Sequence, residues 1–289
     1  MINENIRVRR AVAEDQRQIA NLLLNEANSH RHLDWRSPLD WLGSSNYWVL
    51  EENERIIAAL ACPADPPHVA WIRIFVHSQH ISGPEAWSAL WETARAEIMH
   101  SNTATQVAAI IVKQWFQGII HSSGFDLKQN IVLLQLLNNS ITSFSAPKGI
   151  RIRPMIALDM PAVTKIDFAA FGWFWHNTID SLQRARLQAV SATVAEDESG
   201  VIGYQLSTGN PLGAHLARLA VQPEAQGRGI GAALVSDLVQ QLGQSLLSRL
   251  SVNTQADNMA SLSLYRKLGF IRTGEYFPVF VYPDEIGVQ

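Results

Sequence analysis

Apolar residues recur along the chain in two patterns, an alternation typical of half-buried strands and a three- to four-residue spacing typical of helices. In the second half of the chain, the alternation predicts strands at 150–153, 193–196, 201–207, 215–221 and 246–252. The longer spacing predicts helices at 157–171, 182–190, 229–242 and 258–268. Residues 270–282 predict two more strands. Early hairpins followed by a strand–helix–strand unit predict a mixed α/β fold of the α+β type, with a mostly antiparallel sheet flanked by helices.

The same pattern occurs twice in the chain. Four sequence blocks recur in the same order, displaced by 144 or 145 residues. Three of them begin at Ile6, Trp48 and Arg73, and the fourth ends at Phe125. A nearly constant offset indicates a duplicated fold. Residues 138–149 are rich in Asn, Ser, Pro and Gly and predict the linker between the copies. We therefore predict two tandem domains, at 1–140 and 150–289.

The composition argues against several classes of function, among them nucleic-acid binding, membrane binding and metal binding. The 289 residues are 47% apolar, enough for full cores, and the net charge of −3 gives no electrostatic basis for binding nucleic acid or a membrane. Cys62 is the single cysteine, and no segment has the pattern of a signal peptide or membrane span. His30 and His32 lack a second ligand pair, so we expect no metal site. A cytoplasmic monomer or homodimer is expected.

A glycine-rich turn precedes the predicted helix at 229–242. Its sequence, residues 226–231, is QGRGIG. The first amides of a helix lack partners and lie at the positive end of its dipole, so an anion can bind there. Glycine lets the ligand approach the backbone closely. The turn therefore predicts a site for a diphosphate, with Arg228 as an extra cation; the alternative is a tight turn whose glycines serve packing alone.

A dinucleotide site is a second interpretation of the same glycines. Gly227, Gly229 and Ala232 fit the pattern G-x-G-x-x-A. The glycines do not directly follow a strand, however, and the next strand ends without the acidic residue that would bind a ribose. The nicotinamide-enzyme hypothesis is therefore the weaker one.

The second half resembles the GNAT superfamily, the Gcn5-related N-acetyltransferases, whose acyl-CoA motif is Q/R-x-x-G-x-G/A. The matching residues are Gln226, Gly227, Arg228, Gly229, Ile230 and Gly231. A second family pattern, with Asn, Tyr and a terminal Gly-Phe, is matched by Asn253, Asn258, Tyr265, Gly269 and Phe270. Ser261 stands where alanine is usual. Through the internal repeat, the resemblance extends in degraded form to the first half and implies a tandem-GNAT protein.

The resemblance implies acetyl-CoA as co-substrate, with no metal, and transfer of its acetyl group to a primary amine of a small molecule or peptide. The amine would attack directly in a ternary complex. The implied coenzyme-binding residues are Leu219, Ala220 and Val221 at a strand end, residues 226–231 at the diphosphate, and Asn258. The amide of Val221 would polarise the thioester carbonyl. The alternative is a non-catalytic CoA-binding or sensor protein of the same fold, which would not need Tyr265.

Tyr265 is the predicted general acid. A phenol titrates near about 10 and a thiol near about 8.5, so a tyrosine stays protonated at neutral pH and can donate to a departing thiolate. The alternative is an aromatic side chain packed in the core. A general base for the amine stays open among Glu196, His176, His215, Glu275 and a chain of waters.

Aromatic residues after the first helix of the second half are candidates for the acceptor site. Trp173, Phe174 and Trp175 could form an apolar or cation–π wall for an amine, with Gly172 favouring a loop; the alternative is core packing. In the first half, the positions of Gln226, Gly229 and Tyr265 are taken by Ile81, Pro84 and Ile120. We therefore expect the first half to be a structural or substrate-shaping partner.

Overall fold

The computed structural model describes residues 6–26, 28–100, 105–136, 142–210, 213–242 and 250–283. The chain forms two compact units, one of Met1–Gln129 with Phe277–Gln289 and one of Asn130–Tyr276. Both units have sheets dominated by antiparallel pairs and flanked by helices, which confirms the predicted fold class.

The first unit contains the early strands and three helices. Its elements are β1 (Ile6–Arg10), α1 (Gln16–Asn25), β2 (Ser29–Arg31), β3 (Tyr47–Glu52), β4 (Arg55–Ala61), β5 (Val69–Trp71), β6 (Ile74–His77), α2 (Gly83–His100), β7 (Gln106–Ile110) and α3 (Gln114–Ser122). One sheet has the order β1-β3-β4-β6-β2. Strands β5 and β7 pair in parallel, and the end of the last strand of the chain pairs with β7 in antiparallel fashion.

The second unit contains the predicted diphosphate site. Its elements are β9 (Arg151–Pro154), α4 (Met160–Trp175), α5 (Ile179–Gln188), β10 (Ser191–Asp197), β11 (Gly200–Asn210), β12 (Gly213–Val221), α6 (Ile230–Gln241), β13 (Leu250–Gln255) and α7 (Met259–Leu268). In its sheet the strands β9-β10-β11-β12-β13 are neighbours in that order, and β13 pairs with β8 (Asp126–Leu136), the strand that precedes β9 in the chain.

Two strands change units along their length. Strand β8 begins in the first unit, and its residues from Asn130 onward belong to the second. The last strand, β14 (Phe270–Val281), begins in the second unit and returns to the first at Phe277. The structure therefore corrects the prediction of two strands in 270–282: the segment is one strand, which passes through Gly274 at a φ of 91°.

Other predicted elements differ at their ends. The helix expected at 157–171 begins at Met160, after a short 3-10 turn, and continues to Trp175. The helix expected at 182–190 lies at Ile179–Gln188 because Thr178 caps its first turn. The strand expected at 246–252 overlaps β13, and its residues 246–249 lie outside the described part of the chain.

Matching ion pairs in the two units support the duplication. In each unit an arginine on the strand before the first helix, β1 or β9, binds an aspartate that precedes this helix and a glutamate on the neighbouring strand. The pairs are Arg9–Asp15 and Arg9–Glu51 in the first unit, and Arg153–Asp159 and Arg153–Glu196 in the second. The hydrogen bond from Arg153 lowers the pKa of Asp159, so this pair stays charged at neutral pH.

Helix α6 is anchored to the sheet by its apolar face. Ile230, Leu234, Val235 and Leu238 are buried, at the spacing predicted from the sequence. Their burial fixes the first turn of α6 at the end of β12. Within the described residues, no helix has the length and apolar character needed to cross a membrane.

Candidate functional site

Two strands of the second unit separate and open a cleft. Strands β12 and β13 pair in parallel only where Ala214–Leu216 face Leu250–Val252. A bulge in the pairing of β12 with β11 follows at once, and such bulges bend the strand. Among the described pairings, residues 218–221 pair with β11 alone. The other edge of β12 can therefore pair with an extended ligand through its main chain.

The glycine turn lies at the end of this cleft and is open. The backbone of Gly227 has a φ of 75° and that of Gly229 a φ of 86°, a region that favours glycine. A Cβ at 227 would meet no atom within 4 Å, and one at 229 would meet only Pro147, at 3.9 Å. Gly229 is the N-cap of α6, and no side chain caps the helix there. The exposed amides of the turn therefore fit a diphosphate.

The remaining residues of the turn have structural contacts of their own. The side-chain amide of Gln226 donates to the carbonyl of Val221 at 3.1 Å. Arg228 is half-exposed, and its guanidinium lies 3.9 Å from Asp197, which offsets part of its charge. Ile230 is buried in the core and holds the turn in place.

Gly231 is the point where β12, α6 and α7 approach one another. A Cβ at 231 would lie 3.3 Å from Leu264 and 4.0 Å from both Leu219 and Val221. The absence of a side chain thus allows α7 to approach the start of α6 closely. The predicted pantetheine strand, diphosphate turn and acid-bearing helix are brought together here.

Tyr265 follows Leu264 on α7 and is 5% exposed. Its ring packs edge-on against Phe270 at 5.6 Å, so it also serves the core. No hydrogen-bond partner for its hydroxyl occurs in the described ranges. Burial raises the pKa of Tyr265 well above its ordinary value. The phenol therefore carries its proton at neutral pH, as an acid must.

Asn258 caps α7. Its Oδ1 accepts a hydrogen bond from the amide of Ser261 at 3.0 Å, the contact expected of an asparagine N-cap. The side-chain amide of Asn258 lies 3.4 Å from Oε1 of Gln255 at the end of β13. These contacts orient the first turn of α7.

The aromatic segment is a short helical turn that follows a break in α4 at Gly172, where the sequence predicted a loop. Gly172 has a φ of 70° and breaks the helix. Trp173 is 49% exposed, whereas Phe174 is 5% exposed and packs edge-on between Trp173 and Trp175. Trp173 therefore offers the most surface to a ligand. The buried ring of Phe174 packs against both tryptophans and holds them in place.

A buried ion pair ties this segment to the cleft, and the sequence interpretation missed it. Asp167 is fully buried and accepts two hydrogen bonds from Arg218 on β12, at 2.7 and 2.9 Å. The same guanidinium donates to the carbonyl of Trp175 at 2.6 Å and lies 3.5 Å over the ring of Phe171. Tyr204 also donates to Asp167.

The internal repeat could have predicted this ion pair from the sequence. Arg218 corresponds to Arg73 in the repeat, and Arg73 binds Asp34 at 3.0 Å and lies over Trp41 at 4.9 Å. An arginine repeated in two apolar strands predicts a buried acidic partner, because such a charge is costly to bury alone.

The four base candidates have different surroundings. Hydrogen bonds from Arg151 and Arg153 lower the pKa of Glu196 and make it a weak base. Nδ1 of His176 lies 2.9 Å from the carbonyl of Trp173. Nδ1 of His215 lies 2.9 Å from Oγ of Ser251, where the cleft begins, and burial lowers its pKa, so it is neutral at pH 7.

Glu275, the fourth candidate, lines a separate cavity of 340 Å³ in the second unit. Its neighbours there include Arg272 and Tyr276. Elsewhere in the described residues, no three His, Cys, Asp or Glu side chains form a metal-binding group. His30 is buried beside the carbonyl of Ile72, and burial lowers its pKa to about 4.

The corresponding turn of the first unit is closed by its own side chains. Ser82 and Glu85 form a reciprocal cap at the start of α2: the hydroxyl of Ser82 donates to Glu85 at 2.7 Å, and the amide of Glu85 donates back at 3.3 Å. Pro84 has no amide hydrogen to donate. The two units thus differ at the position where the second presents free amides.

Comparisons with known proteins define the class. Residues 160–270 match the acetyltransferase (GNAT) family. This segment contains both the glycine turn and Tyr265, so the match confirms, for the second half of the chain, the resemblance predicted from the glycine motif.

Curated relatives share part of this sequence. A mycothiol acetyltransferase of Pseudarthrobacter chlorophenolicus is 33% identical over 146 residues, 44% of this chain and 44% of that protein. One of Kocuria rhizophila is 30% identical over 145 residues, 44% of this chain and 48% of that protein. The matches thus span less than half the length of these relatives.

Solved structures share the fold across the whole chain. A GCN5-related N-acetyltransferase of Sphaerobacter thermophilus has a TM-score of 0.63 at 16% identity and covers 97% of this chain and 96% of its own. A tandem GNAT protein from the clavulanic acid biosynthesis pathway has a TM-score of 0.63 at 15% identity. The match covers 97% of this chain and 100% of that protein. These likenesses support a tandem arrangement of the fold.

Proposed function

We propose that the second unit transfers an acetyl group from acetyl-CoA to a primary amine of a small molecule or peptide. The observation that carries this proposal is the open, uncapped glycine turn at Gly227 and Gly229 beside the free edge of β12. Catalysis is assigned to the domain predicted at 150–289. The curated relatives are named mycothiol acetyltransferases, which favours small-molecule amines as acceptors.

The chain's own groups would each serve one step. Acetyl-CoA supplies the thioester carbonyl that the amine attacks. Amides of residues 226–231 hold its diphosphate, and the main chain of Leu219–Val221 orients its extended arm. The amide of Val221 stabilises the developing oxyanion without reorganisation. The hydroxyl of Tyr265 donates its proton to the departing sulfur.

Thiol release from acetyl-CoA tests the activity. We expect acetyl-CoA and an amine panel that includes mycothiol-related amines to give amine-dependent release of free thiol. Mass spectrometry should show an acetyl group on the amine. The rival, a non-catalytic CoA-binding protein, predicts binding of acetyl-CoA with no thiol release for any amine.

Substitution of Gly227 tests the coenzyme site. Gly227→Asp should weaken acetyl-CoA binding about 10- to 100-fold by calorimetry, because a carboxylate in the turn repels the diphosphate. Gly227→Asn has the same shape without the charge and should weaken binding less. Asp and Asn both tolerate a left-handed backbone, which keeps the fold intact.

Gly43→Asp is the matched control. Gly43, in the first unit, has a φ of 83° and open space around its Cβ position, so the substitution places the same strain and charge away from the turn. Acetyl-CoA affinity should be unchanged in this variant. Equal affinities in Gly227→Asp and the unaltered chain would remove the basis of the proposal.

A further inference from the structure

The segment predicted as the linker between the domains is attached to the second unit. The structure describes its residues 142–149, which all belong to that unit. The amide of Phe144 donates to Oγ of Ser236 on α6 at 2.9 Å. The ammonium of Lys267 on α7 lies 4.6 Å from the centre of the Phe144 ring. These contacts hold the start of the segment on the two helices that border the glycine turn.

The end of the segment touches the glycine turn itself. Cγ of Pro147 lies 3.9 Å from the position that a Cβ at Gly229 would occupy. Three residues later, Ile150 is buried in an apolar cluster with Ala225 and Ile230, which flank the turn on its two sides. Pro147 and Ile150 therefore place this part of the chain beside the proposed diphosphate site.

Lys148 lies at the corner of a tight turn between these two anchors. The amide of Ile150 donates to the carbonyl of Pro147 at 3.0 Å, and Gly149 has a φ of 82°. A glycine with positive φ at the third position of a four-residue turn is typical of type II. The backbone of Lys148 is thus fixed, whereas its side chain is exposed. Because the four-carbon stem of lysine is flexible, its ammonium can turn toward an anion without movement of the backbone.

The cation within the glycine turn is already partly neutralised. The guanidinium of Arg228 lies 3.9 Å from the carboxylate of Asp197. Lys148 has no such partner, since no carboxylate pairs with it among the described residues. Acetyl-CoA carries a diphosphate and a 3′-phosphate and so brings several negative charges to this region. An unpaired ammonium beside such a ligand can form strong, charge-assisted hydrogen bonds with it.

We propose that Lys148 binds a phosphate group of acetyl-CoA, which makes the segment between the domains a part of the coenzyme site. The proposal rests on the proposed function, because that function places the coenzyme at the glycine turn. The diphosphate and the 3′-phosphate present the same chemistry to a lysine, and an analogue that lacks the 3′-phosphate distinguishes them.

Lys148→Gln removes the charge and keeps a polar side chain. Calorimetry on the full-length chain should show acetyl-CoA binding about 3- to 10-fold more weakly at about 0.1 M salt. The ratio to the unaltered chain should shrink at about 1 M salt, where charges are screened more strongly. A purely structural role of Lys148 would give a ratio independent of salt. Lys148→Arg keeps the charge and should retain the affinity.

Lys165→Gln is the matched control. Lys165 is an exposed lysine on α4, a helix that contributes no residue to the cluster around the glycine turn. Its replacement removes the same charge from the same unit and should leave the affinity for acetyl-CoA unchanged. The melting temperatures of both variants should match that of the unaltered chain, because both side chains are exposed.

Acetyl-3′-dephospho-CoA identifies the phosphate that Lys148 binds. If the diphosphate is the partner, Lys148→Gln should weaken this analogue and acetyl-CoA by the same factor. If the 3′-phosphate is the partner, the analogue should bind Lys148→Gln and the unaltered chain equally well, while acetyl-CoA still distinguishes them. Either pattern supports the proposal.

Equal affinities of Lys148→Gln and Lys165→Gln for acetyl-CoA would overturn the proposal, as would a loss of the same factor at both salt concentrations. Gly227→Asp separates these outcomes from failure of the proposed function. Weaker binding in Gly227→Asp with unchanged binding in Lys148→Gln would keep the coenzyme at the glycine turn and remove Lys148 from its site. Unchanged binding in both variants would remove the coenzyme from the turn altogether.

Discussion

Tyr265→Phe should lower kcat for acetyl transfer by about 10²- to 10⁴-fold, the range typical of general acid catalysis. The affinity for acetyl-CoA should not change, because phenylalanine preserves the packing against Phe270 and the hydroxyl has no described partner to lose. Stopped-time thiol release and calorimetry on the same preparation separate the two quantities. The loss should appear in kcat and kcat/KM alike.

Tyr47→Phe is the control for this experiment. Tyr47, in the first unit, is also buried, and its hydroxyl has no partner in the described part of the chain. Removing that hydroxyl should leave kcat unaltered. If Tyr265→Phe turned over as fast as Tyr47→Phe, Tyr265 would be a core residue and another group would protonate the thiolate.

Asp167→Asn should destabilise the protein by about 3–5 kcal/mol, the cost of removing one partner from a buried ion pair. Arg218 would remain buried beneath the aromatic segment without its counter-charge. Urea unfolding followed by circular dichroism measures the change. We also expect weaker catalysis in the folded fraction, because Arg218 connects β12 to the carbonyl of Trp175.

Asp180→Asn is the matched surface substitution. Asp180 pairs with Arg184 at 3.0 Å on α5, where both side chains are partly exposed, and such pairs contribute at most about 1 kcal/mol. The unfolding midpoint of this variant should stay close to that of the unaltered chain. Similar shifts for both variants would show that the buried pair has no special role.

The sequence predicted the local features of the fold well, namely the buried face of a helix, the backbone of a turn and the equivalent residues of the repeat. The apolar spacing at Ile230, Leu234 and Leu238 marks the buried face of α6, and the glycines at 227 and 229 have the left-handed backbone that a turn of this kind needs. The repeat offset also predicted equivalent residues, since Arg9 and Arg153 make the same two ion pairs.

Long-range pairing was the part that sequence reasoning could not reach. Asp167 and Arg218 lie 51 residues apart, and no periodicity links them. The aromatic run from Trp173 to Trp175 gave no means of telling which ring is buried, because the break at Gly172 decides the direction of each side chain. The course of β14 depends on pairing with Val107–Ile110 of the first unit, far away in the chain.

The path of β8 and β14 has a consequence for how the protein is made. A ribosome that has released the first 129 residues has not yet produced Phe280, whose side chain belongs to the core of Trp87, Trp91 and Phe125. The compact unit whose synthesis begins first is therefore the last to be completed. Two copies of one fold are in this way joined so that the first compact unit stays incomplete until the segment from Phe277 has been translated.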